Sequence, residues 1–256
     1  MIDTEHITKR FGRKVALNDL TISIDRNTIV CLLGANGAGK STLFDILTTL
    51  DNDFEGDAFI DGLNVKKDKQ KICSRIGYVP AKFSLYNILT VKENIDFFAA
   101  AYGCRFDTAH PVVPQLWESL APFSKFRAEN LSGGMKQKLS LCCAAVHHPD
   151  VYFLDELTTG IDPVSRQELW QEMEELKKEG ATMIMSTHYI DEAENADSIF
   201  LLDEGQKVLF DSPKTIMETF PKKSVEIVVA NHRQTRAANL EDVFVDYLTR
   251  QHESRS

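Results

Sequence analysis

Hydrophobic and polar positions follow two rhythms along this chain, and the switches between them mark its parts. Residues 15–34, VALNDLTISIDRNTIVCLLG, alternate and then run apolar without a break, which predicts an edge-type hairpin feeding a buried central strand. GDAFIDGLNV, residues 56–65, predicts a further strand pair with Asp61-Gly62 as its turn. Together they predict a small, mostly antiparallel sheet near the N-terminus. From residue 84 the rhythm becomes helical in TVKENIDFFAAAY and GGMKQKLSLCCAAVHH, with Gly103, Pro111, Pro114 and Pro122 marking linkers between helices. VYFLDE, residues 151–156, then reads as a buried strand ending in acid. Residues 165–180 read as an amphipathic helix stopped by Gly180, and ATMIMSTH as another buried strand. IFLLDEGQKVLF predicts a hairpin turning at Glu204-Gly205, followed by strand character in SVEIVVA and helical character in LEDVFVDYLTR.

A length of 256 residues suits one well-buried core better than two. The chain is therefore read as a single domain, residues 1–256. Its parts are an α/β core with an antiparallel β subdomain (1–83 and 150–220), a helical subdomain (84–149) and a C-terminal tail (221–256). The formal net charge of -9 argues against a nucleic-acid binder, so no direct nucleic-acid partner is expected. Five cysteines without metal-site spacing read as reduced thiols, with Cys31, Cys142 and Cys143 as core side chains. No stretch approaches the roughly 20 apolar residues that span a bilayer. The expectation is a soluble protein whose membrane role, if it has one, comes through a partner.

GANGAGKS, residues 34–41, completes the pattern G-x-x-x-x-G-K-S between the apolar IVCLL and the helix-like TLFDILTTL. Gly34, Gly37 and Gly39 let backbone N–H groups wrap phosphates where side chains would crowd them. Asn36, Ala38 and Thr42 complete the expected nucleotide-binding positions in and directly after the loop. Lys40 is expected to reach the β and γ phosphates, and Ser41 to place its hydroxyl on Mg²⁺. Asp155, at the end of VYFLDE, is expected to hold the metal through water, and Glu156 to orient or deprotonate an attacking water. His188 ends another buried strand, where it reads either as a sensor of the γ-phosphate that holds Glu156 in geometry or as a surface histidine. His147 and His148 close a helix before Pro149, and stabilisation of the helix C-terminus accounts for them.

One ATP needs one phosphate cradle, yet LSGGMKQ, residues 131–137, puts two more glycines before a helix. Ser132 with the N–H groups of Gly133 and Gly134 fits an anion at a helix N-terminus. The P-loop, LSGG, LDE followed by TTGIDP, and the strand-end histidine together resemble the ATP-binding subunits of ABC transporters over essentially the whole chain. The resemblance implies an α/β P-loop NTPase core of the RecA-like, ABC ATPase kind, with an antiparallel β subdomain and an inserted helical subdomain. It also implies two domains packed head to tail, each ATP held between the P-loop of one and the LSGG of the other. On the same ground Phe11, in KRFG, stacks on adenine, against the alternative of a core aromatic, and Asp162, in TTGIDP, meets the opposing domain. FSLYNILTVKENIDFF, LSGGMKQKLS and LEDVFVDYLTR resemble the ABC-2 type exporters, which implies a separate transmembrane permease subunit and a place at the cytoplasmic face of the membrane.

Two positions depart from the family pattern. Ala81 follows Pro80 where glutamine is usual, and alanine lacks that residue's contact to magnesium and water. Lys82 is no replacement, because an ammonium repels the metal. Leu157 stands where LDEP is usual, which predicts a less constrained loop after Glu156. Retained but weakened ATP hydrolysis is expected. Phe83, Leu85 and Tyr86 are candidates for partner contact or for core. The competing function is a soluble ATPase acting on nucleic acid or ribosomes; a small-molecule P-loop kinase leaves LSGG without a task.

Overall fold

The computed structural model describes residues 1–108, 112–220, 224–229 and 232–255. The chain opens with the antiparallel pair β1 (Ile2–Phe11) and β2 (Lys14–Ile24) and passes to β3 (Ile29–Leu33), which is buried at every position. The glycine loop leads into α1 (Lys40–Leu47). Next come β4 (Glu55–Ile60), β5 (Leu63–Asn64), the short α2 (Lys69–Cys73) and β6 (Ile76–Val79). Between β6 and β7 (Val151–Asp155) lie α3 (Val91–Ala101), α4 (Pro114–Leu120) and α5 (Gly133–Ala145). Alternation then returns with α6 (Pro163–Lys178), β8 (Thr182–Ser186), α7 (Ile190–Ala193), β9 (Ser198–Asp203) and β10 (Gln206–Asp211). The C-terminal part comprises α8 (Pro213–Thr219), β11 (Ser224–Val229), β12 (His232–Ala237) and α9 (Leu240–Arg255).

One sheet runs β2-β1-β4-β5, all antiparallel, and a six-stranded sheet runs β10-β9-β3-β8-β7-β6. In the latter β9, β3, β8, β7 and β6 are parallel and β10 closes the edge as an antiparallel hairpin. One apolar cluster, which includes Leu20, Val30, Phe44 and Phe153, fills the space between the two sheets around α1. A second joins the other face of the large sheet to α3, α5 and α6. The turns Asp61-Gly62 and Glu204-Gly205 both have two positive φ values, as two-residue hairpin turns require.

Sequence periodicity does not reveal β1, because three register shifts against β2 break its alternation. It also misses α2, α4 and α8. Pro114 is no linker but the first residue of α4, where its missing N–H costs nothing, whereas Pro122 lies in a 3₁₀ turn of the connection from α4 to α5. Pro111 and Ala230 lie outside the described residues. His147 does not act as a charge at a helix end. Its ring stacks on Tyr102 with centroids 3.6 Å apart, its Nε2 donates to the Ile76 carbonyl at 3.1 Å, and burial pushes its pKa down. Leu85 belongs to the core, whereas Tyr86 is exposed against Phe97. Cys31, Cys142 and Cys143 are buried, and burial raises each thiol's pKa.

The inserted helices are fastened to the core through α6. Lys138 of α5 pairs with Glu168, and the buried Glu172 carboxylate accepts from the Leu116 N–H of α4 at 2.9 Å. Burial raises the Glu172 pKa, opposed by the amides of Leu116 and Gln115 and reinforced by Glu175 and Glu179. A carboxyl whose pKa is raised by folding favours the folded state in acid and withdraws that support as pH rises through the raised value. Glu172→Gln keeps an acceptor for Leu116 without the charge. It is expected to raise the melting temperature near neutral pH more than in mild acid, measured by thermal denaturation at both.

Candidate functional site

The parallel strands β3, β8 and β7 are neighbours, so their C-terminal ends bring three loops to one edge. The loop after β3 wraps from Gly34 to Gly39. Gly39 has φ 111°, and a Cβ there would stand 2.6 Å from the Ala16 carbonyl oxygen, so only glycine lets the loop close on β2. Lys40 is buried and its ammonium donates to the carbonyls of Gly34 at 2.7 Å and Ala35 at 3.2 Å. Burial lowers the Lys40 pKa, while the carboxylates of Glu156 and Asp155 act to raise it.

A cavity of about 200 Å³ lies over this loop, lined by Asn36, Gly37, Gly39, Lys40, Ser41 and Thr42. Phe11, Lys14, Ala16 and Glu156 complete its wall. Phe11 is 55% exposed with Lys9 Nζ 4.9 Å from its ring centre, so it is no core aromatic. Ala38 faces inward instead, buried, and its carbonyl accepts from the Gly205 N–H at 2.8 Å. A larger cleft of about 770 Å³, between α6 and α7, contains none of these loop residues.

Asp155 is 5% exposed and lies opposite Ser186 in the β7–β8 register. One carboxylate oxygen accepts from the Ser186 hydroxyl and the other lies 3.5 Å from Ser41 Oγ. Glu156 follows at φ 52°, a backbone region uncommon for a side chain of its size. Its N–H donates to Ser186 Oγ at 3.0 Å, and its Oε1 meets His188 Nε2 at 2.6 Å. Burial raises the pKa of nearby Tyr78 to about 12, with Asp155 and Asp45 adding to it. Lys40, Ser41, Asp155, Glu156 and His188 are thus assembled from three loops. Ser186 escapes sequence reasoning because a serine inside an apolar strand carries no signal until the register sets it against Asp155.

LSGG lies apart from that cavity, and none of its residues lines it. Ser132 caps α5, its Oγ accepting from the Met135 N–H at 3.3 Å. A Cβ on Gly134 would lie 2.8 Å from Ser165 Cβ, so glycine here lets the start of α6 pack against the start of α5. Gly133 faces the Gly160 carbonyl across the same gap. The Asp162 carboxylate caps α6, taking the Ser165 N–H at 2.9 Å and the Ser165 hydroxyl at 2.7 Å, and these bonds lower its pKa.

The two departures have different structural consequences. Ala81 and Lys82 are exposed in the segment after β6. Leu157, by contrast, is fully buried, and the Thr158 that follows is buried and hydrogen-bonded. Side-chain burial thus anchors this step at a position where proline would have restricted φ.

Residues 17–159 match the family model described as ABC transporter. The chain belongs to the ABC transporter family. It is 36% identical over 83% of its length to a probable multidrug ABC transporter ATP-binding protein of Escherichia coli, YbhF, of which it spans only 37%. It is 35% identical to the Nod factor export ATP-binding protein I of Burkholderia lata, covering 85% of this chain and 73% of that one. Its fold matches a dimeric ATP-binding cassette bound to ADP and Pi in a post-hydrolysis state, with a TM-score of 0.75 and 25% identity over 83% of this chain and 98% of that one. The α/β P-loop fold expected from the ABC motifs is the fold observed.

Ser186→Ala removes the hydroxyl donor of the buried Asp155 carboxylate, while the Glu156 N–H keeps the Ser186 carbonyl at 3.2 Å. The expected cost is about 1–3 kcal/mol in unfolding free energy, read from the urea midpoint; an unchanged midpoint contradicts it.

Proposed function

We propose that this ABC family member is the ATP-hydrolysing subunit of a membrane exporter, working as one of two cassettes beneath a separate permease. The observation that carries the reading is the separation of the two glycine motifs. The phosphate cradle and the Glu156–His188 pair sit at one strand edge, while LSGG caps α5 outside that cavity. One chain thus offers half of each of two sites, completed when two cassettes pack head to tail, and the similarity to a dimeric cassette supports a pair. Relatives named for multidrug transport and Nod factor export favour export over an ATPase working on nucleic acid or ribosomes.

In this reading Phe11 stacks on adenine, and Gly34, Asn36, Gly37, Ala38, Gly39 and Thr42 shape the phosphate cradle. Lys40 leaves the Gly34 and Ala35 carbonyls for the β and γ phosphates, an exchange that its partly desolvated ammonium favours. Ser41 presents a hydroxyl oxygen suited to Mg²⁺, and the Asp155 carboxylate, 3.5 Å from it, would hold the metal through water. That metal would neutralise charge developing on the phosphates. Glu156 accepts the proton of the attacking water, and His188 fixes the carboxylate's orientation. Ser132, Gly133 and Gly134 grip the γ-phosphate held by the partner cassette, with Asp162 shaping that edge. Residues 84–149 form the subdomain that meets the permease, and the exposed Tyr86, Ile88 and Phe97 are the contact surface.

Glu156→Gln binds ATP without activating water, so the sandwich accumulates. Light scattering is expected to show a doubling of mass when ATP is added; a variant that binds ATP and stays monomeric rules out self-pairing. Ala81→Gln restores a polar group near the metal and is expected to raise turnover and magnesium affinity together. No gain in either rejects Ala81 as the cause of a weakened site.

A further inference from the structure

Glu192 lies on α7, outside the phosphate cradle, and is 2% exposed. Its Oε2 accepts two hydrogen bonds, from Thr158 Oγ1 at 2.7 Å and from Thr187 Oγ1 at 2.6 Å. Both threonines are fully buried. Thr158 stands two residues after Glu156, and Thr187 directly precedes His188. One oxygen atom therefore ties together the two loops that carry the Glu156–His188 pair. From α6, Arg166 forms an ion pair with the other carboxylate oxygen at 3.2 Å and lays its guanidinium 4.3 Å from the ring centre of Tyr189. The Tyr189 N–H in turn donates to Thr187 Oγ1 at 3.1 Å. His188 is held on both sides in this way, by Thr187 before it and Tyr189 after it.

A buried carboxylate is an expensive way to fill space, and apolar packing would stabilise the fold as well. What a carboxylate adds is a fixed distance between its donors. Glu156 needs such support, because its φ of 52° persists only where neighbouring contacts hold it. We propose that Glu192 is a positioning residue for ATP hydrolysis, clamping the loops after β7 and β8 through Thr158 and Thr187 so that Glu156 and His188 stay in register. This rests on the reading of Glu156 and His188 as the hydrolytic pair. Substrate binding lies elsewhere, on the glycine loop, so loss of the clamp acts on turnover and leaves affinity in place.

The test is steady-state ATPase kinetics on the full chain, with each variant's fold checked by circular dichroism. Thr158→Val and Thr187→Val each remove one hydroxyl at nearly constant volume. Each is expected to lower kcat by about tenfold or more, since small misplacements of reacting groups are costly, with KM for ATP within about twofold of the parent. The double variant should lose less than the product of the two single losses, because both act through one carboxylate. Thr187→Ser and Glu192→Gln, which keep the donor and an acceptor respectively, should recover most of the rate that Thr187→Val and Glu192→Ala lose. Folded valine variants with parental kcat overturn the clamp, as does a loss confined to KM or one that the conservative variants do not rescue. Glu156→Gln in the same assay separates the two claims: if it turns over normally, the reading of the site and the clamp fall together. If it is inactive while the valine variants are normal, the clamp alone falls.

Discussion

The register of three parallel strands is the constraint on which the site depends. Cys31 pairs with Met185, and Asp155 with Ser186, so β3, β8 and β7 end together and deliver the glycine loop, Asp155-Glu156 and His188 to one edge. Because side chains alternate strictly along a strand, a slip of one residue would turn Asp155 away from Ser186 and Ser41 and put Leu154 on their side. The slip is prevented by burial on both faces: all five residues of each of these strands are buried. Hydrophobic packing therefore fixes polar geometry here without touching it.

Backbone conformation takes over where the strands stop. At the end of β3 the chain must turn sharply and close on β2, and glycine at positive φ does this at small conformational cost. At the end of β7 the same positive φ falls on Glu156, a residue with a side chain. That local cost is borne by the bonds around it, from Ser186 on one side and from the buried Leu157-Thr158 step on the other. Proline at position 157 would have restricted φ directly. Leucine at this position is anchored by packing instead.

Much of this was legible in the sequence, and the reasons for the exceptions are physical. Long apolar runs announced β3, β7 and β8, and glycine spacing announced the loop between β3 and α1, since those signals are local. β1 was not legible because its bulges scramble the alternation, and α4 was hidden by a proline that starts a helix as readily as it ends one. Ser186, Glu192 and Arg166 were silent for a different reason. Their significance lies in pairing across elements, and no spacing rule carries the information that Ser186 faces Asp155 or that Glu192 faces two threonines.

Helix α6 shows how the second glycine motif is tied to the first without sharing its cavity. At its N-terminus Asp162 caps the helix and Ser165 packs against Gly134, so the start of α5 is in contact with the end of the loop after Glu156. Further along, Glu168 pairs with α5 and Glu172 receives α4. Between them Arg166 reaches back toward α7 and Glu192. Successive residues of one helix thus hold the inserted helices, the LSGG cap and the loop beside Glu156 at fixed separations. Shifting the inserted helices relative to α6 would break the buried Glu172–Leu116 hydrogen bond and the partly exposed Lys138–Glu168 pair.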